Sequence, residues 1–171
     1  AGCEAPGYAS SNLLAEGFDS RKLPPGWEVW DHAGTGVTWG FEDQSERSNQ
    51  TGGSGGFAMV DSDYHGSLDV DVSLVTPPLD FLDESTVMLS FSQNFFSYQG
   101  NRDEIADVDV YVGGEWYNVL RQTENQTGQS HPLLDISELA AHQPYVRVRF
   151  HYYNASAEWW WQIDNVQIGS H

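Results

Sequence analysis

Apolar and polar residues alternate in short blocks along this chain, and the blocks are separated by turn-forming residues. The cleanest period of two runs over residues 107–112. Val108, Val110 and Val112 point one way, and Asp107, Asp109 and Tyr111 the other. Gly113-Gly114 then marks a two-residue hairpin, and residues 115–120 form the returning strand. Residues 87–96 alternate as well, with Val87, Leu89 and Phe91 on one face and Met88, Ser90 and Ser92 on the other. Residues 145–153 bring Val146, Val148, Phe150 and Tyr152 to a core. Shorter strands are expected at 13–18, 57–60 and 73–79, with a brief one at 135–137, a helical turn at 138–141 and a closing strand at 159–168. Pro24-Pro25-Gly26 forces a turn, because two prolines cannot donate to a ladder, and Pro77-Pro78 breaks the strand around it. Trp27, Val29 and Trp39 are further core candidates. No segment sustains a helical period and no internal repeat is present. This pattern predicts an all-β fold, an antiparallel β-sandwich. Residues 1–12 read as a linker or leader, 13–169 as one sandwich domain and 170–171 as an artificial remnant.

Composition sharpens that picture. The 171 residues suffice for one domain with a real core. Seven Trp and an aromatic content of 13% exclude a disordered acidic chain. The net charge of −18 repels phosphates and anionic lipid, so nucleic-acid binding and membrane insertion are not expected. No apolar run reaches transmembrane length. So many like charges on a small body call for neutralisation, and a structural divalent cation would supply it. Arg147 and Arg149 share the outward face of their strand, as Asp107 and Asp109 do on theirs, which predicts cross-strand ion pairs if the strands are neighbours. Cys3 is the single cysteine, so no internal disulfide forms, and it reads as a linker residue. A metal can tie loops together in a disulfide's place.

The candidate chemistry is that of binding. No G-x-S-x-G elbow, H-E-x-x-H pair or Cys/His arrangement occurs, so no enzyme is expected. Residues 51–56, Thr-Gly-Gly-Ser-Gly-Gly, lack the lysine of a phosphate loop and read as a flexible crossing. Asp61-x-Asp63 puts two carboxylates in one turn and Gly66 lets the backbone bend toward an ion. It is not an EF-hand, since His65 takes the fifth place and Val72 stands where a bidentate Glu belongs. Asp69 and Asp71 read as an exposed acidic strand face. His32, His65, His131, His142 and His151 are scattered, read as surface or loop residues, and point to no transition-metal site. Sugars stack on aromatic rings and bond polar side chains. Phe96, Tyr98, Asn101 and Arg102 at a strand tip are candidates, as are Tyr153, Trp159 and Trp160 in the run 152–160. In a strand, Trp159 and Trp161 share a face and Trp160 takes the other. Trp160 is therefore the expected ligand platform, with packing under a loop as the alternative.

The landmarks occur in a telling order: Glu16-Gly17-Phe18-Asp19, Leu23-Pro24-Pro25-Gly26-Trp27, Trp39, Gly56-Phe57-Ala58, Asp61-Ser62-Asp63, Leu74-Val75-Thr76-Pro77 with Leu79, Leu89-Ser90-Phe91, and Trp161-Gln162-Ile163-Asp164-Asn165-Val166. Over residues 13–169 this resembles the MAM-like and cleaved-adhesin jelly-roll domains appended to bacterial secreted peptidases and adhesins. The conserved cysteines of MAM domains proper are missing. The resemblance implies a jelly roll of the galactose-binding-like, MAM-like type, with Ca²⁺ where the first and last strands meet. Glu16 or Asp19 and Asp164 are the matching carboxylates, and Asp61 and Asp63 the loop contributors. It further implies a secreted, extracellular bacterial protein in which a monomeric module of a larger chain binds a glycan, a cell surface or a protein ligand. Docking a substrate beside a peptidase, and a purely structural spacer, are the alternative roles.

Overall fold

The computed structural model describes residues 11–98 and 103–170; Cys3, Asn101 and Arg102 lie outside the described residues. Two antiparallel sheets face each other. The first contains β1 (Ser11–Glu16), β3 (Ala58–Asp61), β5 (Met88–Phe96), β8 (Gln126–Ser130), β9 (Leu133–Asp135) and β11 (Trp160–Ser170). Its spine is β1-β11-β5-β8, with β3 also paired to β11 and β9 to β5. The second has the order β2-β4-β10-β6-β7, from β2 (Glu28–Asp31), β4 (Val70–Val75), β6 (Ile105–Val112), β7 (Glu115–Gln122) and β10 (Arg147–Ala155). One helical turn, α1 (Ser137–Ala140), lies between β9 and β10. The expected antiparallel sandwich is the observed fold.

Strand alternation builds the core. Val108 and Val110 of β6, Val148, Phe150 and Tyr152 of β10, and Leu89, Phe91 and Phe95 of β5 are all buried between the sheets. Trp161 sits fully buried at the centre, with ring centroids 5.3 Å from Trp39, 6.0 Å from Phe150 and 6.3 Å from Phe95. Its indole N–H would be costly to bury alone. It donates to Gln93 Oε1 at 2.9 Å, and Gln93 in turn bonds Gln122.

Boundaries differ from the sequence reading in a few places. β1 starts at Ser11 and β11 runs to Ser170, and these two residues pair, so position 170 belongs to the sheet. β4 ends at Val75, ahead of the two prolines, and Leu79 keeps only an isolated bridge to Val146. The expected ion pairs form in half. Arg149 lies opposite Asp109 and bonds it at 2.8 Å. The register sets Tyr111 opposite Arg147, which turns to Glu28, while Asp107 takes Arg121 at 2.8 Å.

Candidate functional site

Two features gather on the outer face of the first sheet. The first is a carboxylate junction where β1 meets β11, since Glu16 pairs with Val166. Glu16 Oε1 accepts from Phe18 N at 2.6 Å. Phe18 takes a left-handed turn, φ 54°, which drops its ring into the core and sends Asp19 back toward β11. A β-carbon at Gly17 would stand 3.8 Å from both Asp164 Oδ1 and Asp19 Oδ2, so the two carboxylates flank this glycine. Asp164 is fully buried; Asn49 Nδ2 donates to it at 2.9 Å and Asn165 N at 2.6 Å. Burial pushes its carboxyl up from the ordinary aspartate range, against those hydrogen bonds, and the charge of Asp19 pushes the same way.

The glycine-rich segment 51–56 is not a free crossing but the lid of this junction. Gly56 N donates to Asp19 Oδ1 at 2.8 Å. A β-carbon at Gly53 would lie 2.0 Å from Asp164 Oδ2, and one at Gly55 would lie 2.1 Å from Asp19 Oδ1. Only bare backbone can approach the carboxylates so closely, which is the physical reason for glycine at both places. Among the described residues no Lys or Arg ion-pairs with Glu16, Asp19 or Asp164. Carboxylate and backbone oxygens are the donors that Ca²⁺ prefers, and Asp19 and Asp164 meet beneath the lid, but the three carboxylates do not bring their oxygens within 4.8 Å of one another.

Asp61 and Asp63 belong elsewhere. Asp61 pairs with Trp160, four residues along β11 from Asp164, or about 13 Å at the rise of a strand. Arg47 bonds both, Asp61 at 2.9 Å and Asp63 at 2.5 Å, and so supplies their counter-charge.

The second feature is aromatic. Phe96 and Trp159 stack at 4.9 Å and are both half-buried, and the exposed Tyr98 meets Trp159 edge-on at 6.1 Å. Trp160 is not an open platform. It is 7% exposed, it packs with Phe57 and Met59, and Arg47 covers its ring face at 4.3 Å. Residues 47–50 lie over this part of the sheet, where Gln162 bonds Ser48 O and Gln50 N. What remains of Trp160 borders a groove of about 500 Å³ with Phe96, Asn94, Gln50 and Gln129. Trp160 Nε1 and Asn94 Nδ2 are buried donors with no acceptor among the described residues. Tyr153 lies on the opposite sheet, donating to Asp107 Oδ2 at 2.9 Å and stacked on His151 at 4.4 Å. A separate cleft of about 470 Å³, lined in part by Trp39, Asp43, Asp61 and Tyr64, has no stacked ring pair.

The matching family is the cleaved adhesin domain, over residues 11–104. The chain belongs to the cleaved adhesin domain family. Solved structures place the domain among sandwiches of like fold. The K3 cleaved adhesin domain of Lys-gingipain from Porphyromonas gingivalis W83 is 18% identical, with a TM-score of 0.62 over 95% of this chain and 100% of that one. TmCBM61, solved with β-1,4-galactotriose, is 13% identical, with a TM-score of 0.65 over 95% and 100%. The CBM22-1 xylan-binding domain from Paenibacillus barcinonensis Xyn10C is 16% identical, with a TM-score of 0.55 over 94% of each. No curated protein matches the sequence. No helix among the described residues is long and apolar enough to cross a membrane.

Sequence reasoning missed two parts of this arrangement. Asn49, visible only as an N-x-T match, holds Asp164. Asn94 faces outward beside Phe96 by the alternation of β5, which could have marked it. Trp159, a candidate in the run 152–160 that strand parity sets on one face with Trp161, lies instead just ahead of β11 and stacks on Phe96.

Proposed function

We propose that this cleaved adhesin domain is a non-catalytic, calcium-stabilised, carbohydrate-binding accessory module of a secreted bacterial protein. The observation that carries the reading is the half-open Phe96–Trp159 stack with Tyr98 beside it, next to a groove with two donors that have no acceptor among the described residues. A pyranose offers an apolar face to stacked rings and hydroxyl oxygens to indole and amide donors, so one ligand class satisfies both features. The likeness in fold to a galactotriose-bound module and a xylan-binding domain supports this choice.

Calcium has a separate role in the proposal. Glu16, Asp19 and Asp164 would hold it, with backbone carbonyls of the lid completing its oxygen shell. The ion would supply the positive charge that no described side chain provides there, and would tie β1, the lid and β11 together. Retention on a panel of insoluble and gel-embedded plant and microbial polysaccharides, in calcium buffer, tests the function. The expected result is retarded migration on a subset that includes β-linked galactan or xylan. Free migration on every polysaccharide would overturn it.

A further inference from the structure

The outer face of the second sheet carries a cluster that the scattered histidine positions concealed. His32 directly follows β2, Asp71 lies on β4 and His151 on β10, three adjacent antiparallel strands. Asp31 pairs with Val72, so His32 falls opposite Asp71, and its N–H bonds Asp71 O at 2.8 Å. His151 pairs with Ser73, one diagonal step from Asp71. Strand alternation sends all three side chains outward. One donor atom from each lies within 4.8 Å of the other two.

Each group is already oriented. His151 Nε2 bonds Asp71 Oδ1 at 2.6 Å, and His32 Nε2 bonds Ser73 Oγ at 2.9 Å. Tyr153 stacks behind the His151 ring at 4.4 Å, and Trp30 meets His32 edge-on at 6.2 Å. His32 is exposed, so the cluster opens to solvent.

We infer that His32, His151 and Asp71 form a site for a first-row transition-metal cation of the zinc class, distinct from the all-oxygen junction at Asp164. Two imidazole nitrogens and one carboxylate oxygen suit Zn²⁺, with water in the fourth position, and suit Ca²⁺ poorly. A tetrahedral ion with bonds of about 2.0 Å needs its donors about 3.3 Å apart, so modest side-chain rotation on a rigid sheet closes the site. On binding, the metal replaces the hydrogen bond now shared by His151 and Asp71.

Calorimetric titration of the metal-stripped domain with zinc, in saturating calcium, tests the assignment. One zinc per chain is expected. His32→Ala and His151→Ala should each weaken it about tenfold or more, while His65→Ala leaves it unchanged. His32 is exposed, so its variant keeps the fold and decides the matter should His151→Ala unfold. Absence of stoichiometric zinc binding, or equal affinity in His32→Ala, would overturn the site.

Discussion

The outer faces of the two sheets solve the same problem differently. Alternation sends polar and charged residues outward on both. On the second sheet they neutralise one another across strands, as Arg149 with Asp109, Arg121 with Asp107 and Arg147 with Glu28. Two of those arginines also cap the aromatics there: Arg149 lies 4.4 Å over Trp116 and Arg147 5.7 Å over Trp30. On the first sheet a long segment covers the face and brings one arginine, Arg47, which is taken up by Asp61, Asp63 and Trp160. Asp19 and Asp164 are left facing each other under a backbone lid, and among the described residues no cation caps Phe96 or Trp159. The self-neutralised face is a finished surface apart from its histidine cluster. The other has charge and donors that call for added groups.

This contrast can be broken by substitution. The largest effect is expected from Asp109→Ala, which strands the mostly buried Arg149. Loss of one partner of such a pair should cost about 3 kcal/mol, read by urea unfolding, whether or not calcium is present. On the other sheet, calcium itself should matter. At a hundredfold excess over its dissociation constant it adds about 2.7 kcal/mol, or about 5–10 °C in Tm for a domain of this size. Chelator should remove that gain from the parent and change Asp164→Asn little. Gly53→Ala should cost about 1–3 kcal/mol, because its β-carbon would meet Asp164 Oδ2, and should also shrink the calcium shift.

The smallest effect concerns the loop that carries Tyr98. Buried Glu104 accepts from Tyr98 N and from the Tyr152 hydroxyl. Burial pushes its carboxyl up, those hydrogen bonds oppose the shift, and the charge of Glu158 adds to it. The folded state therefore holds this proton more tightly than the unfolded chain does. Its contribution is full below the ordinary glutamate value of 4.5 and is lost as pH rises through the raised folded value. Glu104→Gln should thus gain stability relative to the parent between acid and neutral pH, read by urea unfolding at a series of pH values. A constant difference across that range would contradict the assignment.

Much of the fold was legible because period-two alternation is local. Val108, Val110, Val148 and Phe150 declare their face within a few residues. Gln93 did not declare itself, since its inward position is satisfied by Trp161 and Gln122, both distant in sequence. The junction was legible in part. Asp19 and Asp164 stood at positions marked by the family pattern, but the lid's glycines looked like slack until the carboxylates were seen beneath them. Asp61 and Asp63 looked like ligands because a short acidic motif does not show that Arg47 folds onto it. His32, Asp71 and His151 were illegible as a group, since strand order, not spacing along the chain, brings them together. Trp160 shows the limit of parity: alternation sent it outward correctly, but only the covering segment 47–50 decides that outward is not exposed.

The central claim is that sugar stacks on the open aromatics of the first sheet and not on the arginine-capped ones of the second. The direct measurement is the affinity of paired variants, Trp159→Ala and Trp116→Ala, for a polysaccharide that retains the parent domain in calcium. Trp159→Ala is expected to lose retention by about tenfold or more, a stacking loss of at least about 1.4 kcal/mol, while Trp116→Ala binds as the parent does. Loss in Trp116→Ala with Trp159→Ala unchanged would contradict it and move the binding surface to the other sheet.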